Sequence, residues 1–117
     1  PKVNIAELQQ LIEEASAVQV MDCIYEYVTK LTQATRNHPM IALGVSPRGA
    51  LAVCRMAKAH AYLHGRCFVV PEDVVAVFTD TCAHRLVLAT KARMMEEKPE
   101  TIIRSILESV KMPVIKK

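Results

Sequence analysis

Proline positions constrain the fold of this chain more than any other feature of its sequence. A proline at the first position of a helix leaves no N–H group unpaired, whereas a proline inside a helix removes a hydrogen bond. Pro47, Pro71 and Pro99 each stand before an apolar pattern of helical period, so a helix begins at each of them. Pro39 and Pro113 follow such patterns and end them. The chain is therefore divided into short helices.

Apolar side chains recur at helical spacing in five segments. These segments are residues 5–16, 22 to before Pro39, 47 to Gly65, 71 to about 84, and 99–112. Between them, residues 37–45 are predicted as a loop or brief strand, 85–90 as a strand, and 91–98 as polar surface. The predicted fold class is mainly α: a small helical bundle of four to five helices with at most a short strand pair.

Local signals mark the predicted helix ends. Asn4 with Glu7 resembles a capping box, and Asp22 is a good N-cap residue. Ser46 before Pro47 is the sharpest start signal, because the serine hydroxyl caps backbone N–H groups that a helix leaves free. Gly65 supplies the left-handed residue that closes the helix begun at Pro47.

The composition bounds the class of protein. With 117 residues, 51% of them hydrophobic and 23% charged, the chain suits one globular domain. No apolar stretch approaches the roughly 20 residues of a bilayer crossing, and the first residues lack a signal peptide's pattern, so a cytoplasmic location is expected. The four cysteines form no C-x-x-C pair, which favours neither disulfides nor zinc. Three glycines exclude a phosphate loop, so a complete nucleotide-hydrolysing core is absent.

Charge is distributed unevenly along the chain. Residues 27–71 contain six lysines and arginines and no aspartate or glutamate. This asymmetry favours an anionic partner near the middle segment, and a solvated helix face would produce the same count.

Arg48 is the candidate anion-binding residue of that segment. It lies in the first turn of the helix that begins at Pro47, where the positive end of the helix dipole disfavours a cation. A bound phosphate would compensate, since a guanidinium matches its oxygens in bidentate fashion, and the small residues Gly44, Gly49 and Ala50 would let a ligand approach. The alternative is that Arg48 simply projects into solvent.

Several ordered blocks together resemble the C-terminal lid domain of MoxR-type AAA+ ATPases. The blocks are Ala34-Thr35-Arg36-Asn37-His38-Pro39, Leu43-Gly44-Val45-Ser46-Pro47-Arg48-Gly49, Ala57-Lys58-Ala59, Gly65-Arg66, Val69-Val70-Pro71-Glu72-Asp73-Val74 and His84-Arg85-Leu86. The resemblance implies one lid domain over 1–117, with a first helix and link at 1–21, a bundle carrying the Gly44–Gly49 motif at 22–98, and a last helix at 99–112.

The resemblance also implies a role and its residues. Arg48 matches the sensor 2 arginine that reaches the nucleotide's terminal phosphates, with Ser46 and Gly44 beside it. Arg36 and His38 precede it and would line the nucleotide-facing surface or meet a neighbouring subunit. The implied cofactor is ATP or ADP with Mg²⁺, held mainly by a P-loop core outside this sequence, so the chain by itself would be an inactive fragment of an ATPase.

The implied partners are other protein surfaces. They are the P-loop core of the same chain, neighbouring subunits of a ring, and protein clients of a chaperone-like enzyme that aids assembly or maturation, at times with a von Willebrand factor A domain protein. A free-standing DNA-binding or protein-interaction module is the alternative function, and an oligomerisation domain is a third. Nucleic acid is a poor fit, because the helix offers only Arg48 in its first turns.

Other polar residues receive structural interpretations. His60 and His64 share a helix face with no third ligand, so no metal site is expected. His84 and Arg85 are expected to close their helix, where positive groups suit the negative dipole end. Two positions depart from the family pattern: Val70 replaces a capping Thr or Ser, and Cys67 stands where an acidic partner often follows Gly-Arg.

Overall fold

The computed structural model describes residues 5–114. Its elements are α1 (Ile5–Ser16), α2 (Asp22–Arg36), β1 (Ile41–Leu43), α3 (Pro47–Leu63), α4 (Pro71–Cys82), a 3₁₀ turn (Ala83–Arg85), β2 (Val87–Leu88), α5 (Thr90–Met94) and α6 (Pro99–Ser109). The mainly α fold with one short strand pair is confirmed. Within residues 5–114 there are six α-helices rather than four to five, because part of the expected polar surface forms the single-turn helix α5.

The predicted helix ends agree with the structure at some positions and differ at others. Gly65 adopts φ +75° just beyond α3, the left-handed geometry expected of it. The N-cap of α2 is Met21 rather than Asp22, which is instead the first helical residue. Helix α6 ends at Ser109, before Pro113 is reached, and the capping box predicted at Asn4 lies outside the described residues.

The core lies between α2, α3, α4 and α6. Helix α3 packs most extensively against α4. The buried face of α3 consists of Gly49, Val53, Ala57 and Ala61, four small residues spaced four apart. Small side chains on one ridge let neighbouring helices approach closely. From the other helices, Leu31, Phe78 and Ile103 fill the space beside it, each fully buried.

Two strand-like contacts tie distant parts of the chain together. Strands β1 and β2 pair in antiparallel fashion, with Ile41 opposite Leu88. Gln19, in the link after α1, forms a parallel bridge with Phe68. The first of these contacts brings the turn after α4 next to the loop before α3, which positions the site described below.

Helix α1 is the least embedded element. It has no buried residue, and Ile5, Leu8 and Ile12 are exposed. Glu14 accepts a hydrogen bond from the Tyr62 hydroxyl, and the Ser16 carbonyl accepts one from Lys58 Nζ at 3.3 Å. No helix within residues 5–114 is long and apolar enough to cross a bilayer.

The cysteines differ in their environments. Cys82 is buried, Cys23 and Cys54 are half-buried, and Cys67 is exposed, all as free thiols. Burial raises the pKa of the Cys82 thiol to about 12, and the nearby Arg85 guanidinium opposes that rise. The folded chain therefore strongly favours the protonated thiol.

Folding stability is expected to fall at alkaline pH because of Cys82. A free thiol in the unfolded chain has a pKa of about 8.5, so the buried thiol stabilises the fold fully below that pH. This contribution is lost as pH rises from about 8.5 towards 12. Urea denaturation at pH 8 and pH 10 measures it, and the decrease should be about 2 kcal/mol larger for the wild type than for Cys82→Ala. Equal decreases would contradict the assignment.

Candidate functional site

The first turn of α3 is built as the sequence predicts. Ser46 is the N-cap, and its Oγ accepts a hydrogen bond from the Gly49 N–H at 3.2 Å. Pro47 follows at the first helical position. One of the free backbone donors of the helix start is thereby paired, which holds Arg48 in a defined turn.

The loop before α3 is fastened to the end of α2 through Val45. The Thr35 hydroxyl accepts a hydrogen bond from the Val45 N–H at 3.0 Å and donates one to the Thr32 carbonyl at 2.6 Å. Arg36 Nε donates to the Val45 carbonyl at 3.0 Å. Both backbone groups of the buried Val45 are thus paired with side chains of α2. This connection was missed from the sequence, although Thr35 follows Leu31 by four residues on the apolar face of α2.

Neither Gly44 nor Gly49 could carry a larger side chain without a shift, because other parts of the chain pack closely against both. A Cβ on Gly44 would lie 2.7–2.8 Å from backbone atoms of Thr35 and Arg36. A Cβ on Gly49 would lie 2.8 Å from Val45 Cγ1 and 3.5 Å from Arg85 Cδ. The glycines therefore allow close approach of neighbouring segments of this domain, which places the start of α3 tightly against α2 and the turn after α4.

Arg48 is exposed. Its guanidinium forms no hydrogen bond or ion pair with any group in residues 5–114. The first turn of α3 contains no acidic residue that could neutralise it. The site therefore presents a cation beside the positive end of a helix, and the charge is available to an external anion.

Arg36 and His38 lie on the approach to this turn, but each is engaged locally. Arg36 is the last residue of α2 rather than part of the loop, and its bond to Val45 leaves its terminal NH groups exposed. His38 is half-buried, and its Nδ1 accepts a hydrogen bond from the Met40 N–H at 3.1 Å. Arg36 can contribute charge to an external ligand, whereas His38 shapes the loop.

Two open grooves flank the start of α3. The groove between α2 and α3 has a volume of about 440 Å³, and its walls include Arg36, Pro47 and Leu51. The groove between α3 and the end of α4 has a volume of about 370 Å³. Its lining residues are Ala52, Arg55, Met56, Asp80, Thr81, His84 and Arg85. The second groove gathers most of the charged side chains near the site.

A buried carboxylate joins the end of α3 to the start of α4, and the sequence did not reveal its contacts. Asp73 is fully buried, and its Oδ1 contacts His60 Nδ1 at 2.6 Å and the Arg66 guanidinium. Its Oδ2 accepts a hydrogen bond from the Val70 N–H at 2.8 Å. Valine has no hydroxyl to cap the helix, but the other bond of a capping box is present, from the Val70 N–H to the Asp73 side chain. Arg66 finds its acidic partner seven residues later instead of at Cys67.

His60, in the last turn of α3, contacts Asp73, and His64, the residue just after α3, packs on His60. Their rings stack at 4.2 Å, and His64 Nδ1 bonds to the His60 carbonyl at 2.8 Å. Within residues 5–114 no three His, Cys, Asp or Glu side chains are grouped to hold a metal ion.

Replacing Thr35 with valine is expected to loosen the loop that holds Arg48. Valine has the same shape, but the buried Val45 N–H then loses its acceptor, so the free energy of unfolding should fall by about 1–3 kcal/mol. Chemical denaturation measures the change, with Thr29→Val as the control. The Thr29 hydroxyl bonds only to its own helix, at the exposed Tyr25 carbonyl. An equal loss in both variants would refute the role given to the Thr35–Val45 bond.

Comparison with known proteins agrees with this geometry. Residues 33–106 match the family described as the AAA lid domain. In sequence, 89% of the chain is 40% identical to the uncharacterized protein YeaC of Bacillus subtilis, covering 32% of that protein. Chaperone MoxR1 of Mycobacterium tuberculosis is 32% identical over 97% of the chain and 32% of its own length. The chain thus spans about a third of these relatives.

A solved structure shares the fold. A protein from Cytophaga hutchinsonii, described as a candidate ATPase, superimposes with a TM-score of 0.86 at 27% sequence identity. The match covers 93% of this chain and 36% of that protein.

Proposed function

Because this chain belongs to the AAA lid domain family, as the C-terminal lid of a MoxR-type AAA+ ATPase, we propose that it senses bound nucleotide through Arg48. In this proposal the lid closes over ATP held by a P-loop core, and Arg48 contacts the terminal phosphates as the sensor 2 residue. Mg²⁺ would be held by the core.

The observation that carries the proposal is the exposed guanidinium of Arg48 on the first turn of α3, which has no partner among residues 5–114. Two positive features meet there, the arginine and the helix dipole, and no acid of the first turn offsets them. A phosphate group relieves both at once, because it accepts hydrogen bonds from the guanidinium fork and is attracted by the helix end. Solvent screens the repulsion between the arginine and the helix end but supplies no fixed negative charge to neutralise it.

The hydrogen bonds that hold the turn carrying Arg48 suit a sensing role. The Thr35–Val45 and Ser46–Gly49 hydrogen bonds fix the turn relative to α2, so Arg48 moves with the whole bundle rather than by itself. A contact to the terminal phosphate then orders the lid against the core, and its loss after hydrolysis releases the lid. Ser46 and Gly44 act here by fixing the turn, and Arg36 adds positive charge at the edge of the nucleotide-facing surface.

The wider assembly follows from the same proposal. The full-length ATPase would form a ring in the cytoplasm and act in assembly or maturation of client proteins, in keeping with the name of the relative Chaperone MoxR1. A von Willebrand factor A domain protein would be one of its partners. The exposed apolar residues of α1 give the lid a surface for contact with the rest of the ATPase.

The proposal is tested on the full-length ATPase that contains this lid. ATP hydrolysis is compared between the intact enzyme, the enzyme lacking residues 1–117, and the separated parts mixed together. Hydrolysis should be lost on deletion, and the lid by itself should hydrolyse nothing. An undiminished rate without the lid would overturn the nucleotide-sensing role.

A further inference from the structure

Arg85 is held close to the turn that carries Arg48. It ends the 3₁₀ turn after α4, and the β1–β2 pairing brings this region to the loop before α3. The aliphatic part of Arg85 lies against Gly49, since a Cβ at that glycine would be 3.5 Å from Arg85 Cδ. Gly49 directly follows Arg48 in the sequence. Arg85, which is 37 positions after Arg48 in the sequence, therefore packs against the first turn of α3, the turn that carries Arg48.

The Arg85 guanidinium is anchored by one nitrogen only. Its Nε donates to the Thr81 carbonyl at 3.1 Å, which fixes the direction of the side chain. Its terminal NH groups make no hydrogen bond or ion pair within the described residues. Asp80 lines the same groove but forms no ion pair with Arg85. The two terminal NH2 groups of Arg85 are therefore available to an external acceptor.

Arg85 packs against the turn that carries Arg48, so two positive side chains belong to one turn of α3, and like charges brought close together repel. An anion placed between them would remove this repulsion and accept hydrogen bonds from both guanidinium groups. Because Arg85 is already anchored at Nε and Gly49, little side-chain freedom is lost when it binds.

We infer that Arg85 is a second phosphate-binding arginine of the lid, acting with Arg48 on the terminal phosphate of the nucleotide. This inference rests on the proposed function, since it needs a nucleotide presented to the start of α3. Arg48 reaches the phosphate from the helix turn, and Arg85 from the groove between α3 and α4. Together they make the lid respond to the presence of the third phosphate.

A purely structural role for Arg85, as a cap on the last carbonyls of α4, would have a different signature. Loss of a cap lowers stability and weakens every nucleotide alike, since no particular phosphate is involved. Loss of a phosphate contact lowers affinity for a triphosphate more than for a diphosphate. The ratio of the two affinities therefore separates these roles.

The experiment measures the binding of β,γ-imido-ATP and of ADP, both with Mg²⁺, to the full-length ATPase. The wild type is compared with Arg85→Gln, Arg48→Ala and the control Arg104→Gln, an exposed arginine on α6. We expect the triphosphate-to-diphosphate affinity ratio to fall by about 10-fold in Arg85→Gln and in Arg48→Ala. In Arg104→Gln it should remain unchanged.

Each outcome has a distinct meaning. An unchanged ratio in Arg85→Gln beside a reduced ratio in Arg48→Ala overturns the role of Arg85 and leaves the proposed function standing. Unchanged ratios in both overturn the proposed function and the inference with it. If Arg85→Gln does not fold, phenylglyoxal modification of Arg85 in the wild type decides: β,γ-imido-ATP should suppress it and ADP should not. Equal modification of Arg85 in the presence of β,γ-imido-ATP and of ADP overturns the inference.

Discussion

Replacing Arg48 with alanine in the full-length ATPase should lower kcat for ATP hydrolysis by about 100-fold. Positioned donors that stabilise charge on a transferring phosphoryl group act mainly in the transition state, so kcat should fall more than KM rises. Arg48 is exposed on a turn fixed by the Ser46 cap, and truncating its side chain removes no hydrogen bond or ion pair within residues 5–114. The folded lid should therefore persist.

Steady-state kinetics measure this effect, and circular dichroism checks the fold. Arg104→Ala is the control: it removes an exposed arginine on α6, which forms no hydrogen bond or ion pair within residues 5–114 and lines neither groove beside the start of α3. Equal losses in the two variants would show that general positive charge, and not a phosphate contact at Arg48, supports hydrolysis.

Replacing Asp73 with asparagine should lower the free energy of unfolding by about 2–3 kcal/mol. The substitution conserves shape but removes the buried charge that pairs with His60 and Arg66 and weakens the reciprocal cap on Val70. The side chains of His60 and Arg66 are 29% and 31% exposed, so solvent screens part of the loss and holds it below that of a fully buried pair.

Thermal denaturation of the isolated 117-residue chain measures the loss, which should lower Tm by about 10 °C. The control is Glu72→Gln, an exposed acidic residue in the same first turn of α4. It removes a helix-dipole interaction worth about 0.5 kcal/mol and no buried pair. Similar decreases in Tm for the two variants would show that Asp73 stabilises the fold only through the helix dipole, and would contradict the role derived from its contacts.

Local chemistry explains why much of the fold was predictable. Pro47, Pro71 and Pro99 begin α3, α4 and α6 because a proline fits only the first turn of a helix. Ser46 caps its helix by bonding three residues ahead, and Gly65 takes a positive φ. The short helix α5 was not predicted, because a single turn of five residues leaves almost no periodic pattern.

Part of the candidate site was also accessible from local pattern. The Ser46-Pro47 start signal placed Arg48 in the first turn of α3, and the structure has that serine cap. The Thr35–Val45 bond was not accessible, because it joins residues ten apart across a turn whose path no local rule specifies. The convergence of Arg85 on Gly49 depends in the same way on the pairing of β1 with β2.

The sequence by itself determined where the helices that start with proline begin, and that Arg48 lies on the first turn of one of them. Each of these depends on groups within about four residues of one another, where backbone geometry makes the outcome nearly independent of the rest of the chain. Only the tertiary structure decided that Asp73 is buried between His60 and Arg66, and that Arg85 packs against Gly49. Those contacts depend on how the helices pack and on the register of the strands. Both are determined by the burial of apolar side chains throughout the core, not by neighbouring residues in the sequence.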